Sequence, residues 1–280
     1  MQNIKQTETL DTKLDALRQY FVDRHSVVVA FSGGVDSTLL LRLAVEFAPG
    51  KVLAVSSKSS VSPKGEIDLG EKLAIELGVE HLIINTNELQ NSKFVANPTN
   101  RCYHCKSGLF SRLRKIATEY EIDTVVDGTN YDDINDYRPG MKAGLELGVE
   151  SPLKECRLTK DDIRVLSKQY NLYTWDKAAS PCLSSRVPYN SEITLEKLTR
   201  IDKAENIIRT LGIKEVRVRD HEQIARIEIP KADFDIYFKA DKFAKSMPNI
   251  YLSSTVLYNI LILYDNKYEC LRTDSCLLFR

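Results

Sequence analysis

The sequence lacks a long apolar run. Its longest uninterrupted apolar stretches, such as residues 27–31 and 260–264, span five residues, whereas a helix that crosses a bilayer needs about 20. The first ten residues are polar, so no secretory signal peptide is predicted. We therefore expect a cytoplasmic protein that has no membrane partner.

Net charge is also lacking. Lys and Arg number 39, and Asp and Glu also number 39, so the formal charge is zero. A protein that wraps nucleic acid through bulk electrostatics needs a surplus of basic side chains to neutralise phosphates. No nucleic-acid partner is therefore predicted. The composition, with 43% hydrophobic and 28% charged residues, is that of a globular protein.

Apolar strand-like stretches alternate with helical stretches through the first two thirds of the chain. Residues 26–31 are apolar on both faces, which predicts a central strand covered by helices on both sides. Further strands are predicted at residues 51–56, 81–85 and 124–127. This alternation predicts an α/β fold with a doubly wound parallel sheet over residues 1–180.

The pattern changes after a coil-like stretch over residues 177–190. A helical stripe of Leu and Ile follows, and then two alternating stretches at residues 215–219 and 223–229. Residues 190–280 are therefore predicted to form a smaller α+β domain for substrate binding or oligomerisation. Within it, residues 251–264 are compatible with either a strand or a helix.

A glycine-containing loop, SGGVDS at residues 32–37, lies between the first buried strand and a helix; it is called the phosphate loop below. Its two glycines allow backbone angles that direct N–H groups at an anion, and the positive end of the helix adds to this attraction. The loop lacks the lysine of the Walker motif. An aspartate among phosphates is expected to act as a Mg²⁺ ligand or as a charge partner, and Asp36 has that position. The alternative interpretation is that the loop is an ordinary tight turn.

A second polar segment, at residues 127–133, follows the fourth predicted strand. Ligands of open α/β sheets bind at the carboxyl ends of the strands, so this placement agrees with a nucleotide site. Gly128 would allow a purine or ribose to approach closely, and Asp132 and Asp133 could hold a metal or orient a neighbouring loop. Ordinary turn chemistry explains the segment equally well.

The six cysteines are expected to be free, metal-bound or catalytic, because the cytoplasm disfavours disulfides. Cys102 and Cys105 begin a predicted helix, where a spacing of three places both sulfurs on one face. The helix N-terminus, Arg101 and Lys106 are expected to lower their pKa values. Cys182 lies in a polar loop, and the remaining three are predicted to be structural: Cys156, Cys270 and Cys276.

The Cys-x-x-Cys pair leaves three chemistries open. A structural zinc would need a fourth ligand, and His104 points off the face that the two cysteines share. Three cysteines without an obvious fourth ligand suit a 4Fe-4S cluster with one open iron. Independent thiols are the third interpretation, and the spacing by itself does not decide among them.

Taken together, the motifs resemble those of one family. The phosphate loop resembles the PP-loop of the ATP pyrophosphatases, in which ATP activates a substrate oxygen as an adenylate and pyrophosphate leaves. Further segments at residues 101–106, 127–130, 138–140, 151–153 and 175–186 resemble the LarE family. Its members are ATP-dependent sulfurtransferases of nickel-pincer nucleotide biosynthesis, which serves lactate racemase maturation.

The resemblance implies where ATP and sulfur bind. ATP with Mg²⁺ would contact the phosphate loop and nearby strand ends, at Ala30, Ser32, Gly33, Gly34, Asp36, Ser37, Ser57 and Gly128. In one subtype, three cysteines bind a 4Fe-4S cluster whose open iron holds an extra sulfide, which attacks the adenylated carboxylate. In the other, a single cysteine at the position of Cys182 gives up its own sulfur. The three cysteines present favour the cluster subtype, with the catalytic residues Cys182, Cys102, Cys105 and Asp36.

The resemblance also implies the substrate, pyridinium-3,5-biscarboxylic acid mononucleotide, whose carboxylates become thiocarboxylates. Arg217 and Arg219 alternate along a predicted strand, so both could grip one phosphate; the alternative is a charged, exposed strand edge. The implied substrate-binding residues are Ser185, Arg186, Glu205, Arg217, Arg219 and Glu228. Family members form homo-oligomers, and the sulfide donor is unknown.

Three other functions fit part of the pattern. A cluster-dependent tRNA thiolase would share the loop and the cysteines, but such chains often carry further zinc-binding cysteine pairs or a basic RNA-binding region, and neither is present. An amidotransferase-type synthetase would leave the cysteines unexplained. A non-enzymatic ATP-binding iron–sulfur sensor would leave Arg217 and Arg219 unexplained.

Overall fold

A computed structural model describes residues 9–63, 65–178, 180–221, 224–236, 260–264 and 267–270. The chain divides into two compact units. The first comprises Met1–Ser59, Lys64–Phe94 and Asn100–Ser180, and the second comprises Ser60–Pro63, Val95–Thr99 and Pro181–Arg280. Two short internal segments thus belong to the second unit, which the sequence pattern does not indicate.

The first unit alternates helices and strands. Its elements are α1 (Leu10–Arg24), β1 (Val27–Ala30), α2 (Val35–Phe47), β2 (Val52–Lys58), α3 (Glu66–Glu76), β3 (Glu80–Asn85), α4 (Ser92–Val95), α5 (Arg101–Glu119), β4 (Thr124–Val126), α6 (Pro139–Glu146), β5 (Val149–Glu150), α7 (Pro152–Glu155) and α8 (Lys160–Gln169). The strands form a parallel sheet in the order β3-β2-β1-β4-β5, so the predicted α/β fold is confirmed. Within the described ranges, no helix combines the length and apolar character needed to cross a bilayer.

β1 is central because its side chains are apolar on both faces. Val27, Val28 and Val29 are all fully buried, as expected for a parallel strand covered by helices on both sides. Val27 and Val29 belong to the same core cluster as Leu40 of α2, whereas Val28 belongs to the cluster of Phe110 on α5. Alternate side chains of one strand therefore enter two separate cores.

The strand order creates a crevice at the carboxyl end of β1. β2, which follows β1 in the chain, lies on one side of β1, and β4, which follows β3, lies on the other. The connections after β1 and after β3 therefore run in opposite directions across the sheet. Ligands of open parallel sheets bind at such a switch point. The phosphate loop follows β1 and residues 127–130 follow β4, so the sheet order places both segments at this position.

The second unit has a mixed sheet and one long helix. It contains α9 (Leu195–Thr210), β6 (Arg217–His221), β7 (Ile224–Glu228), β8 (Ile260–Tyr264) and β9 (Lys267–Cys270). The sheet order is β6-β7-β8-β9, in which β7 and β8 are parallel and the other neighbours antiparallel. The predicted smaller α+β region is confirmed, with β6 and β7 beginning one or two residues later than predicted. Residues 260–264 form a strand, whereas residues 251–259 lie outside the described residues.

The two short internal segments are joined by hydrogen bonds to residues 183–191. The N–H of Leu183 donates to the carbonyl oxygen of Val61 at 2.8 Å. Asn97 is fully buried, and its side-chain nitrogen donates to the carbonyl oxygen of Pro188 at 2.7 Å. These bonds hold the chain that follows the predicted catalytic cysteine.

Candidate active site

The phosphate loop leads directly into the N-terminus of α2. Gly33 has a φ of +69°, a left-handed conformation that residues with a side chain rarely adopt. Gly34 is the N-cap residue, and no side chain in the described part of the chain caps the helix, so its first N–H groups can face an anion. The Oγ of Ser37 donates to the carbonyl oxygen of Gly34 at 3.2 Å and lies 3.0 Å from the Oγ of Ser32. The predicted phosphate-binding residues thus share one hydrogen-bonded loop, and their contact with ATP stays a prediction.

Asp36 is paired with Lys160, a residue that sequence reasoning missed. The Nζ of Lys160 lies 2.6 and 2.8 Å from the two carboxylate oxygens. Asn130 donates a longer bond, of 3.5 Å, to the same carboxylate. Lys160 begins α8, and its backbone N–H donates to Asp132 at 2.7 Å. The segment after β4 therefore orients the lysine that reaches the phosphate loop.

Gly128 lies where the segment after β4 meets the first turn of α2. A Cβ atom at this position would lie 3.0 Å from the backbone nitrogen and 3.2 Å from the Cα of Ser37. The glycine thus allows two backbone segments to approach closely, and its predicted contact with a purine or ribose stays a prediction. The neighbouring Asp127 accepts hydrogen bonds from the hydroxyls of Thr129 at 2.9 Å and Ser151 at 2.8 Å.

Lys177 is a second cation on the phosphate loop. Its Nζ donates to the carbonyl oxygen of Gly33 at 3.0 Å and to the carboxylate of Glu66 at 2.6 Å. Lys177 lies within residues 175–186, a segment that resembles the LarE family, but no role is predicted for it from the sequence. Because it lies 144 residues from Gly33, no local pattern could have identified the contact.

Ala30 and Ser57 lie near the carboxyl ends of β1 and β2. Ala30 is the last residue of β1 and is paired with Val55. The hydroxyl of Ser57 lies 2.5 Å from the hydroxyl of Thr86, and Ser57 is half-buried. All the predicted ATP-binding residues therefore lie at the carboxyl edge of the parallel sheet.

The three cysteines of the predicted sulfur site fall in both units. Cys102 and Cys105 lie in the first two turns of α5, where Cys102 is exposed and Cys105 half-buried. Cys182 belongs to the second unit and directly precedes a short 3-10 helix, Leu183–Arg186. Among the residues that the structure describes, no group of three or more His, Cys, Asp or Glu side chains is arranged to hold a metal ion. The metal role of the three cysteines stays a prediction.

Cys156 has the properties of a structural thiol. It packs against the core of the first unit, and burial, with a smaller contribution from Glu155, raises the pKa of its thiol to about 11. A thiol protonated at neutral pH is a poor nucleophile and a poor metal ligand. Of the other two cysteines predicted to be structural, Cys270 ends β9, and Cys276 lies outside the described residues.

The loop that carries Cys182, Pro181–Arg186, is called the cysteine loop below, and its own arginine holds it together. The guanidinium of Arg186 donates to the carbonyl oxygens of Pro181 at 2.7 Å and Cys182 at 3.2 Å. Two further bonds, of 2.8 and 3.1 Å, join it to the carboxylate of Glu205. Only 2% of the Arg186 side chain is exposed.

Glu205 is fully buried and joins three parts of the second unit. Besides Arg186, it accepts hydrogen bonds from Arg209 at 2.8 Å and from the backbone N–H of Val218 on β6 at 3.0 Å. Arg186 and Glu205, both predicted to bind substrate, therefore lie in the interior and connect the cysteine loop to α9 and β6. Their contact with substrate stays a prediction.

Arg217 and Arg219 share one face of β6, as the alternation of a strand requires. Burial alternates along β6, with Val218 buried between the two arginines. The Nε of Arg219 donates to Glu228 at 2.6 Å, and its Nη1 donates to the backbone carbonyl oxygen of Ser185 at 3.1 Å. The structure thus brings Arg219 and Glu228 to Ser185 of the cysteine loop.

The comparisons first define a class of protein. Residues 9–130 match the family model described as NAD synthase. An NMN synthetase from Francisella tularensis has a TM-score of 0.51 and 19% sequence identity, and the match covers 61% of this chain and 75% of that chain. At this identity the likeness shows the fold. The parallel sheet with its phosphate loop is a PP-loop, NAD synthase-like α/β fold.

More similar relatives define the family. A protein from Lactiplantibacillus plantarum, named pyridinium-3,5-bisthiocarboxylic acid mononucleotide synthase, is 39% identical over 225 residues, which cover 80% of this chain and 82% of the relative. An uncharacterised protein from Synechocystis is 43% identical over 221 residues, covering 79% and 82% respectively. The chain belongs to the LarE family of ATP-dependent sulfurtransferases.

Proposed function

We propose that this protein converts the carboxylates of pyridinium-3,5-biscarboxylic acid mononucleotide to thiocarboxylates at the expense of ATP. The observation that carries the proposal is the 39% identity, over 80% of the chain, to a synthase named for the bisthiocarboxylic acid product. A carboxylate oxygen is a poor leaving group. Its attack on the α-phosphorus of ATP releases pyrophosphate, and a sulfur nucleophile then displaces AMP from the adenylated carboxyl carbon.

The first unit would bind ATP at the phosphate loop. The uncapped N-terminus of α2 and the left-handed Gly33 offer backbone N–H groups to the phosphates. A carboxylate beside bound phosphates is an ordinary Mg²⁺ ligand, so Asp36 fits that role. Lys160 would hold Asp36 in place before ATP binds, and its charge would then also offset that of the phosphates.

Cys102, Cys105 and Cys182 would supply the sulfur site. Two thiols three residues apart at the start of α5, one of them exposed, are a donor set that fits an iron–sulfur cluster, because thiolates are its usual ligands. If the three thiolates hold a 4Fe-4S cluster, they would leave one iron available for a sulfur ligand. The alternative for the same overall reaction is that Cys182 gives up its own sulfur and becomes dehydroalanine.

The second unit would bind the phosphate end of the substrate through Arg217 and Arg219, beside Ser185. Arg186 and Glu205 would act as positioning residues, because side chains that are 2% and 0% exposed can hold the cysteine loop but present little surface to a ligand. Their effect on the reaction would then come through the position of Cys182.

The test is turnover by protein purified without oxygen and supplied with ATP, Mg²⁺ and the pyridinium mononucleotide. We expect AMP and pyrophosphate in equal amounts, a thiocarboxylate product, and an unchanged polypeptide mass. Bound iron should be lost in Cys102→Ser and retained in the control Cys156→Ser. Iron-free protein that loses one sulfur atom at Cys182 would establish the alternative donor. No pyrophosphate release with this substrate would refute the proposed function.

Location in the cytoplasm, a homo-oligomeric state and the absence of a nucleic-acid partner stay predictions from the sequence and the family. The sulfide donor is unknown. Size-exclusion chromatography with light scattering would measure the oligomeric state of the purified protein.

A further inference from the structure

A third arginine shares the face of the hairpin that carries Arg217 and Arg219. β6 and β7 are antiparallel, with Arg217 opposite Glu228 and Arg219 opposite Arg226. Directly opposed residues of antiparallel strands project on the same side of the sheet. Arg217, Arg219, Arg226 and Glu228 therefore form one surface, called the arginine face below. Val218 projects on the other side and is buried in the core of this unit.

Glu228 joins two of these arginines through one oxygen. Its Oε1 accepts from the Nε of Arg219 at 2.6 Å and lies 2.9 Å from the Nη2 of Arg226. Burial tends to raise the pKa of this carboxyl, but Arg219 and then Arg226 lower it overall, so Glu228 is ionised at neutral pH. Three positive charges less one negative charge leave the arginine face with an excess of two positive charges.

Arg226 has hydrogen-bonding capacity that its neighbours do not use. Its Nε atom is buried and has no hydrogen-bond partner among the residues that the structure describes, although 24% of the side chain is exposed. Arg219 stands directly opposite, and like charges in opposed positions destabilise a sheet. Burial lowers the pKa of His221, and the nearby charges of Arg226 and Arg219 lower it further. A bound anion would relieve the repulsion between these like charges.

We infer that Arg226 is a third arginine of the site that Arg217 and Arg219 would form for the substrate phosphate, a dianionic monoester. The inference rests on the proposed function, because it concerns the phosphate end of that substrate. Glu228 holds Arg219 and Arg226 in fixed orientations, and oriented guanidiniums suit a phosphate, which they bind through paired N–H groups. The excess of two positive charges matches the charge of about −1.5 to −2 on a phosphate monoester. Glu228 orients the arginines and does not contact the anion, because two anionic groups repel.

The test compares Arg226→Gln with the wild type in two assays on the full chain. Calorimetric titration with inorganic phosphate measures anion binding directly. The binding that is lost in Arg217→Gln, relative to the wild type, is the part that belongs to the arginine face. We expect Arg226→Gln to weaken this part by about 10- to 100-fold, as for the loss of a hydrogen bond to a charged group. In turnover, KM for the pyridinium mononucleotide should rise by a similar factor while kcat and KM for ATP stay unchanged.

Arg42→Gln is the matched control. Arg42 is 29% exposed and lies 2.7 Å from a single carboxylate, that of Glu46, so it resembles Arg226 in burial and pairing and should leave both assays unchanged. If Arg226→Gln does not fold, Arg226→Lys keeps the charge without the planar guanidinium and should show a smaller loss in the same direction.

The outcomes separate the inference from the proposed function. Phosphate binding that is weakened in Arg217→Gln but unchanged in Arg226→Gln and Arg226→Lys would overturn the inference. If neither Arg217→Gln nor Arg226→Gln changes phosphate binding, the inference is overturned as well. Phosphate binding that depends on Arg226, in a protein that does not turn over the pyridinium mononucleotide, would support the arginine face and refute the proposed function.

Discussion

Replacing Glu205 by Gln removes one buried charge without changing the size of the side chain. The carboxylate of Glu205 is fully buried and accepts two hydrogen bonds from Arg186, one from Arg209 and one from the N–H of Val218. A glutamine has one acceptor oxygen, and its amide nitrogen would face guanidinium N–H groups that need an acceptor. Arg186, itself 2% exposed, would keep a buried charge without its counter-ion.

The expected cost follows from that burial. Breaking a buried ion pair by removing one partner costs about 3–5 kcal/mol, a large share of a total folding stability of about 5–15 kcal/mol. Urea unfolding followed by circular dichroism should show a lower midpoint for Glu205→Gln. The control is Glu80→Gln, whose carboxylate is 44% exposed and pairs with Lys51; it should lose no more than about 1 kcal/mol, as for exposed pairs.

The same variant distinguishes a positioning role from contact with substrate. If Glu205 holds the cysteine loop, Glu205→Gln should lower both stability and kcat, because the position of Cys182 depends on Arg186. A variant that unfolds at the same urea concentration as the wild type, but has a KM for the mononucleotide raised about tenfold or more, would refute this reasoning. Glu205 would then act on the substrate directly.

Three further results are expected. Lys160→Met should raise KM for ATP by about tenfold in a pyrophosphate-release assay, because it removes a cation beside the phosphates, whereas Lys160→Arg should retain most of the affinity. An unchanged KM in Lys160→Met would show that the pair with Asp36 is structural only. Gly128→Ala should cost about 1–3 kcal/mol in urea unfolding and weaken ATP binding, because the new Cβ would lie 3.0 Å from the backbone nitrogen of Ser37; wild-type stability would contradict the close approach. Alkylation of Cys156 by iodoacetamide, followed by peptide mass mapping, should be slow at pH 8 and accelerate toward pH 11, since the pKa of its thiol is about 11. The unfolded chain loses this proton first, near pH 9, so the contribution of Cys156 to stability should fall between about pH 9 and pH 11; rapid alkylation of the folded protein at pH 8 would be inconsistent with its burial.

The interior role of Arg186 and Glu205 could not be predicted from the sequence. An arginine beside a cysteine in a Ser-rich string, and a glutamate on a charged helix, are patterns typical of an exposed site. Their burial depends on the pairing of Arg186 with Glu205 of α9 and on the bond from Val218 of β6 to Glu205. Lys160 and Lys177 escaped prediction for a related reason, because they lie 124 and 144 residues from the phosphate-loop atoms that they contact.

Local patterns in the sequence predict the parallel α/β fold, the phosphate loop at the carboxyl end of β1, and the alternation that puts Arg217 and Arg219 on one face. These features depend on local patterns, namely apolar runs, glycine at a left-handed turn, and the two-residue repeat of a strand. The pairing of charged side chains, in contrast, depends on the tertiary structure. The partner of Asp36, the buried pair of Arg186 with Glu205, and the position of Arg226 opposite Arg219 all depend on strand order, register and burial. The local sequence does not show whether a charged side chain faces water or the interior, because the partner that neutralises it comes from a distant part of the chain.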